Sequence, residues 1–261
     1  MQRRVGDYEL VTELGRGAMG AVFLAERGGE RFALKFLHSA GGPDALARFE
    51  VEALATSRLL HPSIVRSVDA GRERGTPYLV LEYVEGPTLE QQLNRGPLPS
   101  AEAGRLAREL AEALAHAHAQ GVLHRDVKPA NVLIEARSGR GRLTDFGLAR
   151  LAEGLSLTLS SEILGTPSYM SPEQMDPSRG PIDARSDVYS LGATLYHMLA
   201  QRPPFGGASS LLALFDAVTS APLIRPSRFQ SDLDPELEAI CLRCLERDPV
   251  DRYPSAGALA E

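Results

Sequence analysis

The sequence predicts an α+β chain of two lobes: a small antiparallel β-sheet with one helix, then a larger, mainly α-helical lobe. Three observations carry this. From Tyr8 to about Tyr83 the apolar residues alternate as they do in half-buried strands. From Ser100 onward they recur at helical spacing. Between these regions lies a short connector near residues 82–87, and a cleft between two lobes is the default place for a ligand. At 261 residues, 43% apolar and 24% charged, the chain has ample material for a core.

In chain order, Ala21–Ala25 and Phe32–Leu37 alternate in pattern, with Gly28-Gly29 as the hairpin turn between them. Pro43 suits a first helical turn, and Leu46, Phe49, Ala53, Leu59 and Leu60 form an apolar stripe running down to His61-Pro62. Val80–Gly86 reads as a strand leading into the connector. Helices are expected over Ser100–Gln120, N-capped by Ser100, and over Asp183–Gln201, Ser209–Thr219 and Asp234–Arg247. Asp234 before Pro235 is a cap followed by proline at the first helical position, and Pro203-Pro204 stops the Leu191–Leu199 helix. We read residues 1–261 as one domain, with the small lobe at about 8–83, the connector at about 82–87 and the helical lobe at about 88–261. Ser255–Glu261 reads as the first turns of a helix cut short, as in a domain taken from a longer protein.

The net charge of −6 argues against nucleic acid as a partner, because a phosphate-binding surface needs a basic excess. No apolar run approaches the roughly 18 residues of a membrane span, and no apolar stretch follows the charged N-terminus as a secretory signal requires. The expected location is therefore cytoplasmic, without membrane contact from this segment. Cys241 and Cys244 sit three apart in a helical pattern with no second ligand pair nearby, so they read as packing residues rather than a zinc or redox site. The histidines also lack ligand spacing, and His116 and His118 should face different ways on their helix.

Only two lysines occur, Lys35 and Lys128, and the other 26 of the 28 basic residues are arginine. Such a bias leaves lysine where a compact point charge is needed and a planar fork will not serve. Lys35 follows Gly15-x-Gly17-x-x-Gly20-x-Val22, and Lys128 lies in His124-Arg-Asp-Val-Lys-Pro-Ala-Asn131. The glycine spacing alone is weak, but strands on both sides of it exclude the dinucleotide fingerprint, which needs a helix after the glycines. A glycine-rich strand–turn–strand can fold over a triphosphate because backbone N–H groups can approach it. Both lysines therefore point to phosphoryl transfer.

These motifs, with Asp145-Phe-Gly, Ser171-Pro-Glu173, Asp187-Val-Tyr-Ser-Leu-Gly and Arg252, resemble in order and spacing the protein kinase superfamily, specifically bacterial eukaryotic-like serine/threonine kinases. The resemblance runs from about Tyr8 to Tyr253 and implies the bilobal kinase fold. It also implies ATP with Mg²⁺, or Mn²⁺ as an alternative, and protein substrates bearing Ser or Thr. By resemblance, Lys35 touches the α- and β-phosphates, aimed by Glu52. The match of Arg-Phe-Glu-Val-Glu-Ala to R-F-x-x-E-A favours Glu52 over Glu50, which reads as a solvated face. Asp126 is the catalytic aspartate, Lys128 reaches the transferring phosphate, and Asn131 and Asp145 hold the metal. Leu14, Val22, Ala33 and Leu133 wall the adenine, and Gly15, Gly17 and Gly20 cover the phosphates. Glu82–Val84 offer backbone hydrogen bonds, with Leu81 as gatekeeper.

The remaining motif residues are structural under the same resemblance. His124 and Phe146 pack, Glu173 pairs with Arg252, and Asp187 accepts from the catalytic-loop backbone. Thr166, in Gly165-Thr-Pro-Ser-Tyr, docks substrate against Asp126 and Lys128. Arg125 belongs to a pocket for a phosphorylated loop, with Thr158 and Ser160 the expected autophosphorylation sites and a homodimer the arrangement for that reaction. Thr56 departs from the pattern, standing with Ser67 where an apolar residue is usual. The expectation is a helix held loosely without phosphorylation or a partner. A pseudokinase scaffold would show damage at the lysine or the aspartates, and none is damaged. A small-molecule phosphotransferase would lack the set of Lys128, Ser-Pro-Glu, Asp187 and Arg252.

Overall fold

The structure, a computed structural model, describes residues 3–17, 20–37, 51, 53–146 and 167–261. Six strands form one antiparallel sheet in the order β1-β2-β3-β4-β6-β5: β1 (Arg3–Val5), β2 (Tyr8–Gly17), β3 (Gly20–Arg27), β4 (Glu30–Leu37), β5 (Ser67–Glu73) and β6 (Thr76–Glu82). The Gly28-Gly29 turn is as expected. Arg27 pairs with Glu30, and both glycines take the positive φ, 61° and 83°, that a two-residue hairpin turn demands. The sheet begins at Arg3 rather than near Tyr8, because Gly6, at φ 53°, turns β1 back onto β2. The strand expected over Val80–Gly86 is β6, which starts at Thr76 and ends at Glu82. β5 pairs along it through a turn at Arg74-Gly75.

One face of this sheet buries Val5, Tyr8, Ala25, Phe32, Leu34, Tyr78 and Val80. Helix α1, residues 53–57, lines one cavity together with β5. Leu59 is buried as expected, but Leu60 is 64% exposed. The helical hydrogen bonding has ended by then, so the heptad-like stripe no longer applies to Leu60. Leu59 and Ile64 belong to the second, larger core, that of the helical lobe. The segment between α1 and β5 therefore packs with the lobe that follows it in sequence. An Ile64–Leu143 bridge fastens it there, with Leu143 N–H donating to Ser63 O at 2.9 Å and Val65 N–H to Leu143 O at 2.8 Å.

The helical lobe contains α2 (Leu89–Leu93), α3 (Ser100–Ala119), α4 (Pro172–Met175), α5 (Ala184–Ala200), α6 (Leu211–Ser220), α7 (Pro235–Cys244) and α8 (Ala256–Ala260), with a two-stranded hairpin of β7 (Val132–Ile134) and β8 (Gly141–Leu143). Leu106, Leu110 and Leu114 of α3 are fully buried, each worth about 2 kcal/mol, and α3 packs on α5 and α8. Ser100 does not cap α3. Pro99 holds the cap position without a side-chain bond, and Ser100 is already helical. By contrast, Asp183 caps α5 in a reciprocal box with Ser186, and Asp234 caps α7 with Pro235 at the first position. Helix α6 starts after Ser210, whose hydroxyl accepts from Ala213 N–H, so Ser209 lies outside it. Helix α7 ends at Cys244, three residues before Arg247. Cys241 and Cys244 are buried against α5, where a β-carbon on Gly192 would fall 2.3 Å from Cys244 Cβ. Burial pushes the Cys244 thiol up to about 12 and raises Cys241 well above its ordinary value, which makes both poor nucleophiles.

Candidate active site

The glycine-rich turn joins β2 to β3, where Gly17 pairs with Gly20 and Gly15 with Val22. A β-carbon at Gly15 or Gly17 would meet nothing within 4 Å, so this backbone stands open. Gly20 is different: at φ +147° a β-carbon would lie 1.8 Å from Phe36 O, so the strands close only around glycine. Val22 is in register with Lys35, and Ala33 with Leu81. Leu14 is 45% exposed at the open rim. Lys35 is 6% exposed, and its Nζ lies 2.7 Å from Asp145 Oδ2, so strand alternation points this buried cation across the cleft.

On the other side, the 124–131 loop gathers three of the expected residues. Lys128 Nζ lies 2.8 Å from Asp126 Oδ2. Asn131 Nδ2 donates to the same oxygen at 2.9 Å and to Asp126 O at 2.8 Å. The Thr144 N–H bond to Asn131 O, 3.0 Å, sets Asn131 beside the strand that delivers Asp145. Arg125 and Asp145 adopt left-handed backbone at φ 66° and 67°, costly for side-chain-bearing residues and typical of sites whose surroundings over-determine them.

What over-determines Arg125 is Asp187, buried in α5. Its Oδ2 accepts from His124 N–H at 2.8 Å and its Oδ1 from Arg125 N–H at 2.7 Å. His118 Nε2 lies 2.8 Å from Oδ2 as well. Burial alone would raise the Asp187 pKa, but the His118 hydrogen bond and the backbone donors outweigh it and hold the carboxyl below its ordinary value. His124 is fully buried, its ring 4.4 Å from that of Phe146 and its Nε2 2.9 Å from Thr144 O. Desolvation lowers its pKa, which suits a packing role. From α4, Gln174 Nε2 donates to Arg125 O at 2.8 Å, and Glu173 meets Arg252 in two bonds of 2.7 and 2.8 Å.

At the connector, Val84 is buried, and Glu82 N–H donates to Arg66 O at 3.0 Å. Leu133 is bridged to Thr88 at the start of α2. Glu50, Glu52, Thr158, Ser160 and Thr166 lie outside the described residues. Thr56 is half-buried and its hydroxyl bonds Ala53 O at 3.2 Å, while Ser67 is buried. His116 and His118 do face apart: the first has its ring 5.4 Å from that of His61, tilted by 35°, and the second reaches Asp187.

Sequence reasoning missed three features. One is His118, whose signal was its place immediately after the buried Leu110–Leu114–Ala117 face of α3. The second is the Tyr169–His197 bond of 2.7 Å between the segment after Thr166 and α5. The third is the set of charges around Arg142, for which strand periodicity offers no signal at all.

Among the described residues no group of three or more His, Cys, Asp or Glu side chains is placed to hold a metal ion. The Asn131 amide and Asp145 carboxylate carry hard oxygen donors on segments joined by the Thr144 N–H bond to Asn131 O, and such donors fit a divalent cation that completes its shell from phosphate and water. No helix among the described residues is long and apolar enough to cross a membrane.

A curled antiparallel sheet over a helical lobe, with Lys35 of the sheet paired to Asp145 and Lys128 paired to Asp126, is the bilobal protein-kinase architecture. The kinase domain of PknI from Mycobacterium tuberculosis matches it with a TM-score of 0.78 at 31% identity, covering 99% of this chain and 96% of that one. The protein kinase domain pattern matches residues 8–261. A probable serine/threonine-protein kinase of Streptomyces coelicolor is 40% identical over 99% of this chain and 39% of its own length. The serine/threonine-protein kinase PknB of Mycobacterium leprae is 39% identical over 97% of this chain and 42% of its own length. The chain belongs to the protein kinase family, whose members use ATP and a divalent cation. It spans about two-fifths of the length of these curated relatives.

Proposed function

We propose that this chain is a serine/threonine protein kinase domain that transfers the γ-phosphoryl group of ATP to Ser or Thr hydroxyls of protein substrates. The observation that carries the reading is the cluster of Asp126, Lys128 and Asn131, whose Asn131 carbonyl bonds the residue just before Asp145, the partner of Lys35. In this role Asp126 Oδ2 orients the substrate hydroxyl and takes its proton as the oxygen attacks the γ-phosphorus and ADP leaves. Lys128 contacts the transferring phosphate, and Lys35 the α- and β-phosphates, aimed by Glu52. Gly15, Gly17 and Gly20 cover those phosphates. Adenine lies between Leu14, Val22, Ala33 and Leu133, with backbone partners at Glu82 and Val84. Asn131 and Asp145 would hold Mg²⁺, or Mn²⁺ in its place, which when bound offsets the phosphate charge.

The domain works in the cytoplasm, Thr166 docks the substrate segment, and autophosphorylation at Thr158 and Ser160 proceeds within a homodimer. Relatives named serine/threonine-protein kinases support the substrate class. Labelled ATP with a generic basic protein tests the reading beside Asp126→Asn. Label on Ser and Thr is expected, reduced by about 10²- to 10³-fold in the variant. Equal labelling by the variant, or label on Tyr alone, would refute it. Phosphopeptide mapping of the active chain tests Thr158 and Ser160, and both unmodified would sink that part.

A further inference from the structure

Behind the cleft, one guanidinium to which the phosphoryl-transfer scheme gives no role ties together three segments. Arg142 lies at the centre of β8, three residues ahead of Asp145. Its Nη2 donates to Ile64 O at 3.0 Å and to Glu82 Oε1, and its Nη1 lies 3.6 Å from Glu135 Oε1. Glu82 Oε1 also accepts from Arg66 N–H at 2.7 Å. The single carboxylate at the start of the connector is thus bonded both to the loop after α1 and to the strand that leads to Asp145.

The Arg142 side chain is only 14% exposed, and its Nε is buried without a partner among the described residues. An unsatisfied buried donor costs about 1–3 kcal/mol, which an outward-turned arginine would avoid. The inward pose therefore persists because the Nη contacts outweigh that cost. Lysine could not substitute, since one planar fork is what spans a carbonyl and a carboxylate together.

We propose that Arg142, acting through the Glu82 side chain, is a positioning residue for the nucleotide. It holds the connector, which meets adenine, at a set spacing from Asp145, which faces the phosphates. The inference rests on the kinase reading. Without the strut the nucleotide must order the connector as it binds, so affinity falls, while the proton transfer at Asp126 is little altered.

The test compares the wild-type domain with Arg142→Gln, Arg142→Lys, Glu82→Gln and the Arg142→Gln/Glu82→Gln pair, reading ATP KM and kcat and, by calorimetry, ADP Kd. Arg142→Gln should raise ATP KM and ADP Kd together by about fivefold to tenfold, near the 1.4 kcal/mol that a tenfold change represents. Over the same change kcat should fall less than twofold and protein-substrate KM should not move. Arg142→Lys should recover only part of the loss, and the double variant should be no worse than the poorer single one, because one interaction is removed twice. Unaltered ADP Kd, additive losses in the double variant, or a fall in kcat as large as the rise in KM would overturn the assignment. A wild-type domain that binds ADP yet transfers no phosphate would sink the kinase reading instead, and the ADP titrations would still decide the strut.

Discussion

Replacing Arg252 by Met should destabilise the domain severely and in a pH-dependent way. The Arg252 side chain is 0% exposed and its partner Glu173 only 2%. The guanidinium makes five hydrogen bonds: two to the Glu173 carboxylate and one each to the carbonyls of Arg185, Glu246 and Arg247. It also lies 5.0 Å above the Tyr189 ring. Methionine keeps much of the volume but leaves Glu173 with Ser186 Oγ, at 2.7 Å, as its remaining side-chain donor. Stranding one charge of a buried pair costs about 3–5 kcal/mol. For a chain of this size, at roughly 2–4 °C per kcal/mol, Tm should drop by about 6–20 °C.

The pH signature separates this mechanism from simple loss of packing. Burial by itself would raise the Glu173 pKa, and the Arg252 hydrogen bonds outweigh that and hold it below its ordinary value. The wild-type pair therefore stabilises above the unfolded carboxyl pKa of about 4.3 and loses that contribution as pH falls through the lowered folded value. In Arg252→Met burial dominates and raises the Glu173 pKa, so protonation relieves the stranded charge. The Tm deficit, followed by far-ultraviolet circular dichroism, should shrink between pH 8 and pH 5. A Glu173→Met/Arg252→Met pair should recover much of the loss. A deficit below about 1 kcal/mol, or one independent of pH, would refute the reasoning.

Under the proposed function, Lys35→Arg should retain the fold, by circular dichroism, yet lower kcat/KM about 100-fold, since displacing a charge that meets the phosphates by an ångström costs of that order. Activity within a few-fold of wild type would remove the special role of the point charge. His197, which accepts from or donates to Tyr169 Oη, has its pKa lowered to about 4 by burial. The unfolded chain takes up that proton first, near pH 6.5, so this contribution is present above about 6.5 and is lost as pH falls towards 4. Discounted for residual exposure, the loss is about 2 kcal/mol, and His197→Gln should flatten it in urea unfolding at pH 7 and pH 4.5. An identical pH dependence in the variant would show that His197 titrates freely.

Local chemistry determined much of this protein in advance. Strand alternation located β3 and β4, and Gly28-Gly29 their turn, because a two-residue hairpin requires two positive φ angles. Asp183 and Asp234 marked helix starts because a cap needs only its own next residues. The ordered motifs indicated which side chains would meet: Asp126 with Lys128, Asp187 with the loop backbone, Glu173 with Arg252. Where sequence reasoning failed, as at Ser100 and Leu60, the neighbouring residue or the end of the helix decided the outcome.

Tertiary structure alone decided which lobe the segment after α1 belongs to, since Leu59 and Ile64 are apolar in either assignment and only the bridge to Leu143 distinguishes them. It also decided that Glu82 uses its side chain as well as its backbone. A carboxylate at the end of a strand reads as solvated until Arg142, 60 residues later, is folded against it. Periodicity reports which face a residue occupies, but a charge pair across the fold depends on how the two lobes come together.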